Sequence, residues 1–230
     1  SGIGESALEA LIVDLAHGHD NPTVATYAGG GECQVRITAR ADSVDKADAL
    51  IQSVLTPLSA RLGRLVYGYE ADTLEDVVGR LLAGAGLTIA CAESCTGGLV
   101  SAMLTNVAGS SGYFDRGIVT YSNRAKIEQL AVRAETLAAH GAVSRDTAVE
   151  MAAGVARAAG VDIGVSVTGI AGPGGGTDAK PVGTVHFALA DTRRPSVITA
   201  RMRFGGDRAA VRTRAAKFAL DLARRHLIGD

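Results

Sequence analysis

Ser94 lies between two apolar runs in a setting that could support chemistry. Residues 89–92 precede it, and a second apolar run, residues 99–104, follows at helical spacing. This order predicts a strand, a tight turn and the start of a helix. The first turn of a helix leaves about four amide donors free, so a serine placed there can attack an acyl carbon while amides receive the oxyanion.

Other interpretations of this corner remain open. Serine and threonine are preferred N-cap residues, so Ser94 or Thr96 can simply cap the following helix. The same free amides can also form a phosphate cradle. Cys95 is a competing nucleophile, although a buried thiol without a neighbouring base is inert.

Residues 119–126 form a second strand-to-helix corner. Ser122 or Asn123 can cap the helix there, which places Lys126 in its first turn. A cation near a helix N-terminus is electrostatically unfavourable, and this helps to lower the pKa of a lysine, as a general base requires. The alternative is a solvated surface lysine. Tyr121 either orients one of these groups or packs.

A glycine-rich segment, residues 168–178, forms the third corner after an apolar strand. Five glycines around Pro173 allow a ligand to approach the backbone closely, but the segment is neither a Walker loop nor a dinucleotide fingerprint. Lys180 and Arg208 could each meet an anionic group nearby. The alternatives are a flexible surface loop and an ordinary arginine on a helix face.

The histidines do not form a recognisable metal or catalytic set. Five are scattered along the chain: His17, His19, His140, His186 and His226. Only the first two are close in sequence, and no spacing matches a metal site, so we predict no metal and no cofactor. No Ser–His pairing is suggested either, which leaves a lysine as the base.

Composition places the chain among globular proteins of a reducing compartment. Hydrophobic residues make up 47% of the chain, enough for a core. No apolar run approaches the ~20 residues of a membrane span, and no secretory signal sequence is evident. The three cysteines lack Cys-x-x-Cys spacing, so we predict a cytoplasmic protein without a disulfide framework.

Residues 1–70 are predicted to form a small α+β domain in the order α-β-β-α-β. The pattern gives a helix over residues 5–17, strands flanking residues 29–31, a helix capped by Ser43, and a short strand over residues 65–69. Residues 1–72 hold ten acidic and five basic residues. The resulting net charge of −5 disfavours nucleic-acid binding by this domain.

Residues 71–230 alternate helices with apolar strands, which predicts a three-layer α/β/α domain. Helices are predicted over residues 73–82, 96–107, 123–130, 145–160 and 208–227. Strands are predicted over residues 87–92, 117–121, 162–168, 182–190 and 197–204.

Five ordered motifs in this second domain resemble the C-terminal domain of the CinA family. They lie at residues 92–98, 117–126, 140–144, 168–173 and 180–184. Residues 3–70 resemble the KH-like middle domain of longer CinA proteins, although no Gly-x-x-Gly clamp for a nucleic acid is evident. The large N-terminal domain of those proteins has no counterpart here, so we expect either a truncated chain or a naturally shorter protein.

The resemblance implies a nicotinamide mononucleotide deamidase of the pyridine-nucleotide cycle. This enzyme hydrolyses a carboxamide to nicotinate mononucleotide and ammonia without a metal. Carried onto this sequence, the family pattern makes Ser94 the nucleophile, with Tyr121 and Lys126 as its catalytic partners. Backbone amides at Thr96 and Gly97 would then hold the oxyanion.

From the residues themselves we infer that the glycine-rich segment, with Lys180 or Arg208, faces the ribose phosphate of the substrate. Residues expected to bind it are Gly98, Asn123, Thr168, Gly169, Ala171, Gly172, Gly175, Lys180 and Arg208. The expected partner is a small nucleotide, with no membrane or nucleic acid, in a homodimer or higher homo-oligomer. The alternative is a non-catalytic module of a competence or DNA-damage protein that binds a nucleotide or a protein.

Overall fold

The computed structural model describes residues 3–17, 20–195 and 197–229. The chain divides into two compact units, Ser1–Glu70 and Ala71–Asp230. Within the described residues, no helix is both long and apolar enough to cross a membrane. The side chain of His17 and all of His19, the weak histidine pair of the sequence, lie outside the described part.

The first unit is a helix, a β-hairpin and a second helix. In chain order these are α1 (Glu5–His17), β1 (Thr23–Gly29), β2 (Glu32–Thr38) and α2 (Val44–Leu62). The Ser43 hydroxyl caps α2 by accepting from the Lys46 amide, as predicted. Leu8, Ile12 and Leu58 form the core against the antiparallel hairpin.

The prediction of a strand over residues 65–69 is wrong. This segment follows a short 3-10 turn, Gly63–Leu65, and continues without strand pairing. Leu65 and Val66 pack against the core of this unit instead. The apolar residues of the segment therefore reflect side-chain burial and not membership of a sheet, so the observed order is α-β-β-α.

The second unit is built on one five-stranded mixed sheet in the order β4-β3-β5-β6-β7. The strands are β3 (Ile89–Glu93), β4 (Phe114–Val119), β5 (Ile163–Gly169), β6 (Thr184–Asp191) and β7 (Val197–Arg203). The helices are α3 (Leu74–Ala85), α4 (Leu99–Thr105), α5 (Asn123–Leu130), α6 (Ala134–His140), α7 (Arg145–Ala159) and α8 (Arg208–Leu227). The strands β4, β3 and β5 are parallel, whereas β6 and β7 are antiparallel to their neighbours.

Helices cover both faces of this sheet, which confirms the predicted three-layer α/β/α class. On one face α7 packs against β3, β5 and β6 and is flanked by α5 and α6. On the other face α8 packs against β5 and β6 and is joined by α3 and α4. The strand β5 is buried along almost its whole length, as its continuous apolar sequence predicts.

Two helices differ from the prediction. The helix expected over residues 96–107 is shorter, because α4 begins at Leu99 after a turn that ends at Gly98, whose φ is +97°. The helix α6 was not predicted, since its seven residues carry no capping side chain and only a short apolar pattern. The remaining elements agree with the sequence pattern to within a few residues.

Gly154 of α7 is where this helix approaches the end of α5. A Cβ atom on Gly154 would lie 2.1 Å from the backbone oxygen of Leu130. We expect Gly154→Ala to lower the free energy of unfolding by about 1–3 kcal/mol, because the backbone must shift to admit the methyl group. Chemical denaturation measures this change. The matched control is Gly84→Ala in α3, where nothing lies within 4 Å of the added Cβ and the stability should not fall.

Candidate active site

Three parallel strands end side by side at one edge of the sheet. Ser94 follows β3, Thr120 follows β4, and β5 ends at Gly169. The Ser94 amide donates to the Val167 carbonyl at 2.9 Å, and the Thr120 amide donates to the Glu93 carbonyl at 2.8 Å. The hydrogen-bond ladder of the sheet therefore continues one residue beyond the strands, and it fixes the position of Ser94 between the ends of β4 and β5.

Alternation along β3 places Ser94 and Glu93 on opposite faces of the sheet. Ala90 and Ala92 pack against Met151 of α7, so Ser94 continues the face covered by α7 and α5. Glu93 points to the face covered by α4 and α8. The two residues consequently take part in different sets of contacts.

Lys126 is the hydrogen-bond partner of Ser94. Its Nζ donates to the Ser94 Oγ at 3.1 Å and to the Thr120 carbonyl at 2.7 Å. Lys126 is 1% exposed and Ser94 is 9% exposed. The Ser122 hydroxyl caps α5 by accepting from the Ala125 amide, which places Lys126 in the first turn of the helix.

Burial lowers the pKa of Lys126 to about 8. No carboxylate lies within ion-pair distance of this ammonium in the part of the chain that the structure describes, so only its two hydrogen bonds to neutral oxygens offset the loss of hydration. Desolvation is the main cause of the lowered pKa of Lys126, and not the helix N-terminus that the sequence suggests. A lysine of this kind is neutral in an appreciable fraction of molecules near neutral pH and can accept a proton.

The Cys95 thiol is unsuited to nucleophilic attack. Cys95 is only 4% exposed, and this burial raises the pKa of its thiol to about 12. The nucleophilic form of cysteine is the thiolate, which such a thiol does not provide at ordinary pH. The Ser94 hydroxyl, in contact with Lys126, is therefore the better nucleophile of the two.

Glu93 occupies the amides at the start of α4. Its carboxylate accepts from the amides of Gly98 at 2.9 Å, Val100 at 3.2 Å and Ser101 at 2.9 Å, and from the Ser101 hydroxyl at 2.7 Å. Glu93 is fully buried. These three amides are therefore not available to the phosphate cradle considered for this corner, because the Glu93 carboxylate already takes them. Sequence reasoning assigned no role to this acidic residue, although its place just before the turn was visible.

The turn itself leaves two amides without an acceptor. The Gly97 amide, expected to serve as an oxyanion donor, already donates to the Ser94 carbonyl at 3.2 Å. The Gly98 amide, placed in the substrate-binding set, donates to Glu93. Among the described residues, the amides of Cys95 and Thr96 donate to no oxygen acceptor. These two are the donors that remain for an oxyanion.

Arg212 of α8 contacts the same turn from the opposite face of the sheet. Its Nε donates to the Cys95 carbonyl at 3.1 Å, and its Nη2 donates to the Thr96 carbonyl at 2.8 Å. Sequence reasoning missed this residue. The available signal was its position one helical turn after Arg208, which places both side chains on one face of α8.

Tyr121 and Arg208 form a separate group beside the turn. The Tyr121 hydroxyl accepts from Arg208 Nη2 at 2.8 Å, and Arg208 Nη1 donates to the Gly172 carbonyl at 2.8 Å. Tyr121 is 63% exposed, and within the described residues it makes no hydrogen bond to Ser94 or Lys126. The structure thus joins Tyr121 to Arg208 and not directly to the Ser94–Lys126 pair.

Several residues of the glycine-rich segment serve the fold. The Thr168 hydroxyl donates to the Ala142 carbonyl at 2.7 Å. A Cβ on Gly169 would lie 2.7 Å from Val185 Cγ2, and Ala171 is buried. Gly175 is exposed with a φ of +85°, which a glycine adopts without strain.

The structure places Lys180 at the end of one helix and Asn123 at the start of another. Lys180 Nζ donates to the His140 carbonyl at 2.7 Å, at the C-terminal end of α6, where the helix dipole favours a cation. Asn123 is exposed in the first turn of α5. No hydrogen bond connects either side chain with Ser94 or Lys126 in the described ranges.

Two family models together match nearly the whole chain. The CinA C-terminal domain matches residues 71–227, and the KH domain of damage-inducible protein CinA matches residues 1–68. A CinA-like protein of Kosmotoga olearia is 48% identical over 227 residues, with 99% of this chain and 55% of that protein covered. A CinA-like protein of Dictyoglomus thermophilum is 46% identical with the same coverage. The chain therefore spans about half the length of these curated relatives.

Solved structures of related proteins match about two thirds of the chain. The competence damage-inducible protein A of Klebsiella pneumoniae has a TM-score of 0.65 and 43% identity, with 68% of this chain and 96% of that chain covered. The competence/damage inducible protein CihA of Agrobacterium tumefaciens has a TM-score of 0.63 and 43% identity, with 67% and 96% covered. The family models match residues 1–68 and 71–227, and the two curated relatives are 48% and 46% identical over 99% of the chain. The chain therefore belongs to the CinA family.

Proposed function

We propose that this protein is a nicotinamide-nucleotide amidase that hydrolyses nicotinamide mononucleotide to nicotinate mononucleotide and ammonia. The observation that carries the proposal is the contact of 3.1 Å between Lys126 Nζ and Ser94 Oγ, in which a buried lysine has no acidic partner among the described residues. A serine with such a base can attack an amide carbon. The motif resemblance to the family's deamidase domain supplies the substrate.

In the first half of the reaction Ser94 Oγ attacks the carboxamide carbon, and its proton passes to Lys126 Nζ. The carbonyl oxygen becomes an oxyanion that accepts from the amides of Cys95 and Thr96. Lys126 then gives the proton to the leaving nitrogen, the carbon–nitrogen bond breaks, and ammonia departs. The nicotinoyl group remains as an ester on Ser94.

In the second half a water molecule attacks the ester, and Lys126 accepts a proton from it. The same two amides hold the second oxyanion. The bond to Ser94 Oγ then breaks, and Lys126 returns the proton to that oxygen. The acid product leaves, and the Ser94–Lys126 pair is restored to its starting state.

Arg208 is the better of the two predicted candidates for the substrate phosphate. Its guanidinium is held by the Tyr121 hydroxyl and the Gly172 carbonyl, both neutral acceptors. Its positive charge is therefore not matched by a carboxylate in the described part of the chain. Lys180 is instead tied to the C-terminal end of α6. In this proposal Tyr121 positions Arg208.

The test is ammonia release by the purified chain from nicotinamide mononucleotide, nicotinamide riboside and intact NAD. We expect the mononucleotide to be preferred over the riboside by about 10²-fold or more in kcat/KM, since the charged hydrogen bonds to a phosphate are lost in the riboside. Preference for the riboside would contradict a phosphate site at Arg208. A thermal shift with the mononucleotide and no ammonia would instead indicate the non-catalytic binding module.

A further inference from the structure

We propose that Arg212 is a positioning residue for the oxyanion donors of the Ser94 turn. The inference rests on the proposed amidase reaction and concerns a residue that does not touch the reacting atoms. Arg212 holds two consecutive peptide carbonyls of the turn and thereby sets the direction of the Thr96 amide. No other described side chain holds these two carbonyl oxygens.

The choice of donors follows from accounting for each amide of the turn. The amides of Gly98, Val100 and Ser101 are taken by Glu93, and the Gly97 amide is taken by the Ser94 carbonyl. Among the described residues this leaves the amides of Cys95, Thr96 and Leu99 without an oxygen acceptor, and the first two are the nearest to Ser94 along the chain.

Peptide planarity connects Arg212 to the Thr96 amide. In a trans peptide the carbonyl and the following N–H point in opposite directions. Because Arg212 Nε holds the Cys95 carbonyl, the Thr96 N–H of the same peptide group points away from α8. Ser94 and Lys126 lie on that other face of the sheet, so the Thr96 amide is directed toward the side from which Ser94 attacks.

The next peptide group provides an internal check on this direction. Arg212 Nη2 holds the Thr96 carbonyl, so the Gly97 N–H must also point away from Arg212. That amide does meet an acceptor on the far side, the Ser94 carbonyl, at 3.2 Å. The two amides are therefore held in a common direction, and only the one belonging to Thr96 remains free.

The charge of Arg212 adds to its geometric effect. A cation that binds a carbonyl oxygen polarises the whole peptide group and makes its N–H a stronger donor. The planar guanidinium can reach two adjacent carbonyls with fixed spacing, which a lysine ammonium cannot reproduce. Glu93 binds the amides at the end of the turn, and Arg212 binds the carbonyls of Cys95 and Thr96 within it. Two buried or half-buried side chains therefore hold the backbone of the turn in place.

The test compares Arg212→Met with the wild-type chain in the ammonia-release assay. We expect kcat to fall by about 10²-fold while KM changes by less than about threefold, because a misdirected oxyanion donor is felt mainly in the transition state. The matched control is Arg214→Met on the same helix, an exposed arginine that donates to the Gly205 carbonyl; its kcat should equal that of the wild type.

Covalent labelling of Ser94 by diisopropyl fluorophosphate gives a second readout that is independent of the substrate. The Oγ–phosphorus bond forms, the hydroxyl proton passes to Lys126, and fluoride leaves. The phosphoryl oxygen needs the same donors as an amide oxyanion. We therefore expect the labelling rate of Arg212→Met, followed by mass spectrometry, to fall by a factor similar to that of kcat.

The outcomes separate this inference from the proposed function. A kcat of Arg212→Met within threefold of the wild type, or a rise of KM at unchanged kcat, overturns the inference. If that variant does not fold, Arg212→Lys replaces it and must lose about 10-fold in kcat, since it keeps the charge but only one of the two bonds; wild-type kcat would overturn the inference. A wild-type chain that is labelled but releases no ammonia refutes the amidase proposal alone.

Discussion

Ser94→Ala is expected to lower the rate of ammonia release from nicotinamide mononucleotide by about 10⁴-fold or more. The hydroxyl is the atom that forms the ester, and Lys126 has no other oxygen to activate within hydrogen-bond distance among the described side chains. The variant should fold normally, because the loss of one hydroxyl leaves the Ser94 amide bonded to the Val167 carbonyl. Binding of the substrate should change little, so the loss should lie in kcat.

The control for this experiment is Cys95→Ala. A thiol with a pKa near 12 contributes no nucleophile, so this variant should keep most of the wild-type kcat. The reverse result, an active Ser94→Ala and an inactive Cys95→Ala, would make the thiol the nucleophile. A Ser94→Ala rate above about a tenth of the wild-type rate would remove the acyl-enzyme mechanism.

Lys126→Met is expected to abolish activity and at the same time to stabilise the fold. Methionine can fill most of the space of the buried lysine stem, but it has no amine to accept the Ser94 proton. The pKa of Lys126 falls from 10.5 to about 8 on folding, so the charged form is disfavoured in the native state. Removing that charge should raise the melting temperature at pH 7, as is common when an active-site residue is replaced.

The lowered pKa of Lys126 predicts how both the activity and the stability of the protein depend on pH. Activity requires the neutral amine, so kcat/KM of the wild type should rise with pH and level off above about 8. Between about 8 and 10.5 the unfolded chain holds a proton at Lys126 that the native state has released, so the contribution of Lys126 to the free energy of unfolding should also rise across this window. Lys126 therefore destabilises the fold most below pH 8, where it is charged in both the native and the unfolded state.

Denaturation of wild type and Lys126→Met at several pH values measures this stability difference. The free energy of unfolding of the wild type relative to that of the variant should rise between about pH 8 and 10.5. Lys46→Met, at an exposed surface position that pairs with Asp42, is the control and should leave kcat unchanged. A wild-type rate that is flat from pH 6 to 9 would contradict a lysine base whose pKa is about 8.

Helix boundaries that depend on local chemistry were predictable. Ser43 and Ser122 each cap a helix, as the sequence pattern indicates. Such caps involve residues three apart in the chain, so the sequence contains all of the information needed. The pairing of Ser94 with Lys126 could also be anticipated, because parallel strands bring their carboxyl ends to one edge.

Features that depend on distant parts of the chain were not predictable in the same way. The start of α4 is set by the buried Glu93 side chain and not by a serine or threonine cap. Arg212 reaches the turn from a helix 116 residues further along the chain, measured from Thr96. The burial that lowers the pKa of Lys126 arises from packing that no local pattern encodes.

The carboxylate of Glu93 has a consequence for product release. In the proposed reaction an uncharged amide becomes an acid that is anionic at neutral pH, so the site must let go of a charge that it did not bind. Open amides at a helix start would retain such an acid. Since Glu93 occupies those of α4, they would not be open to hold the new carboxylate, and in the proposed reaction this would favour release of the acid.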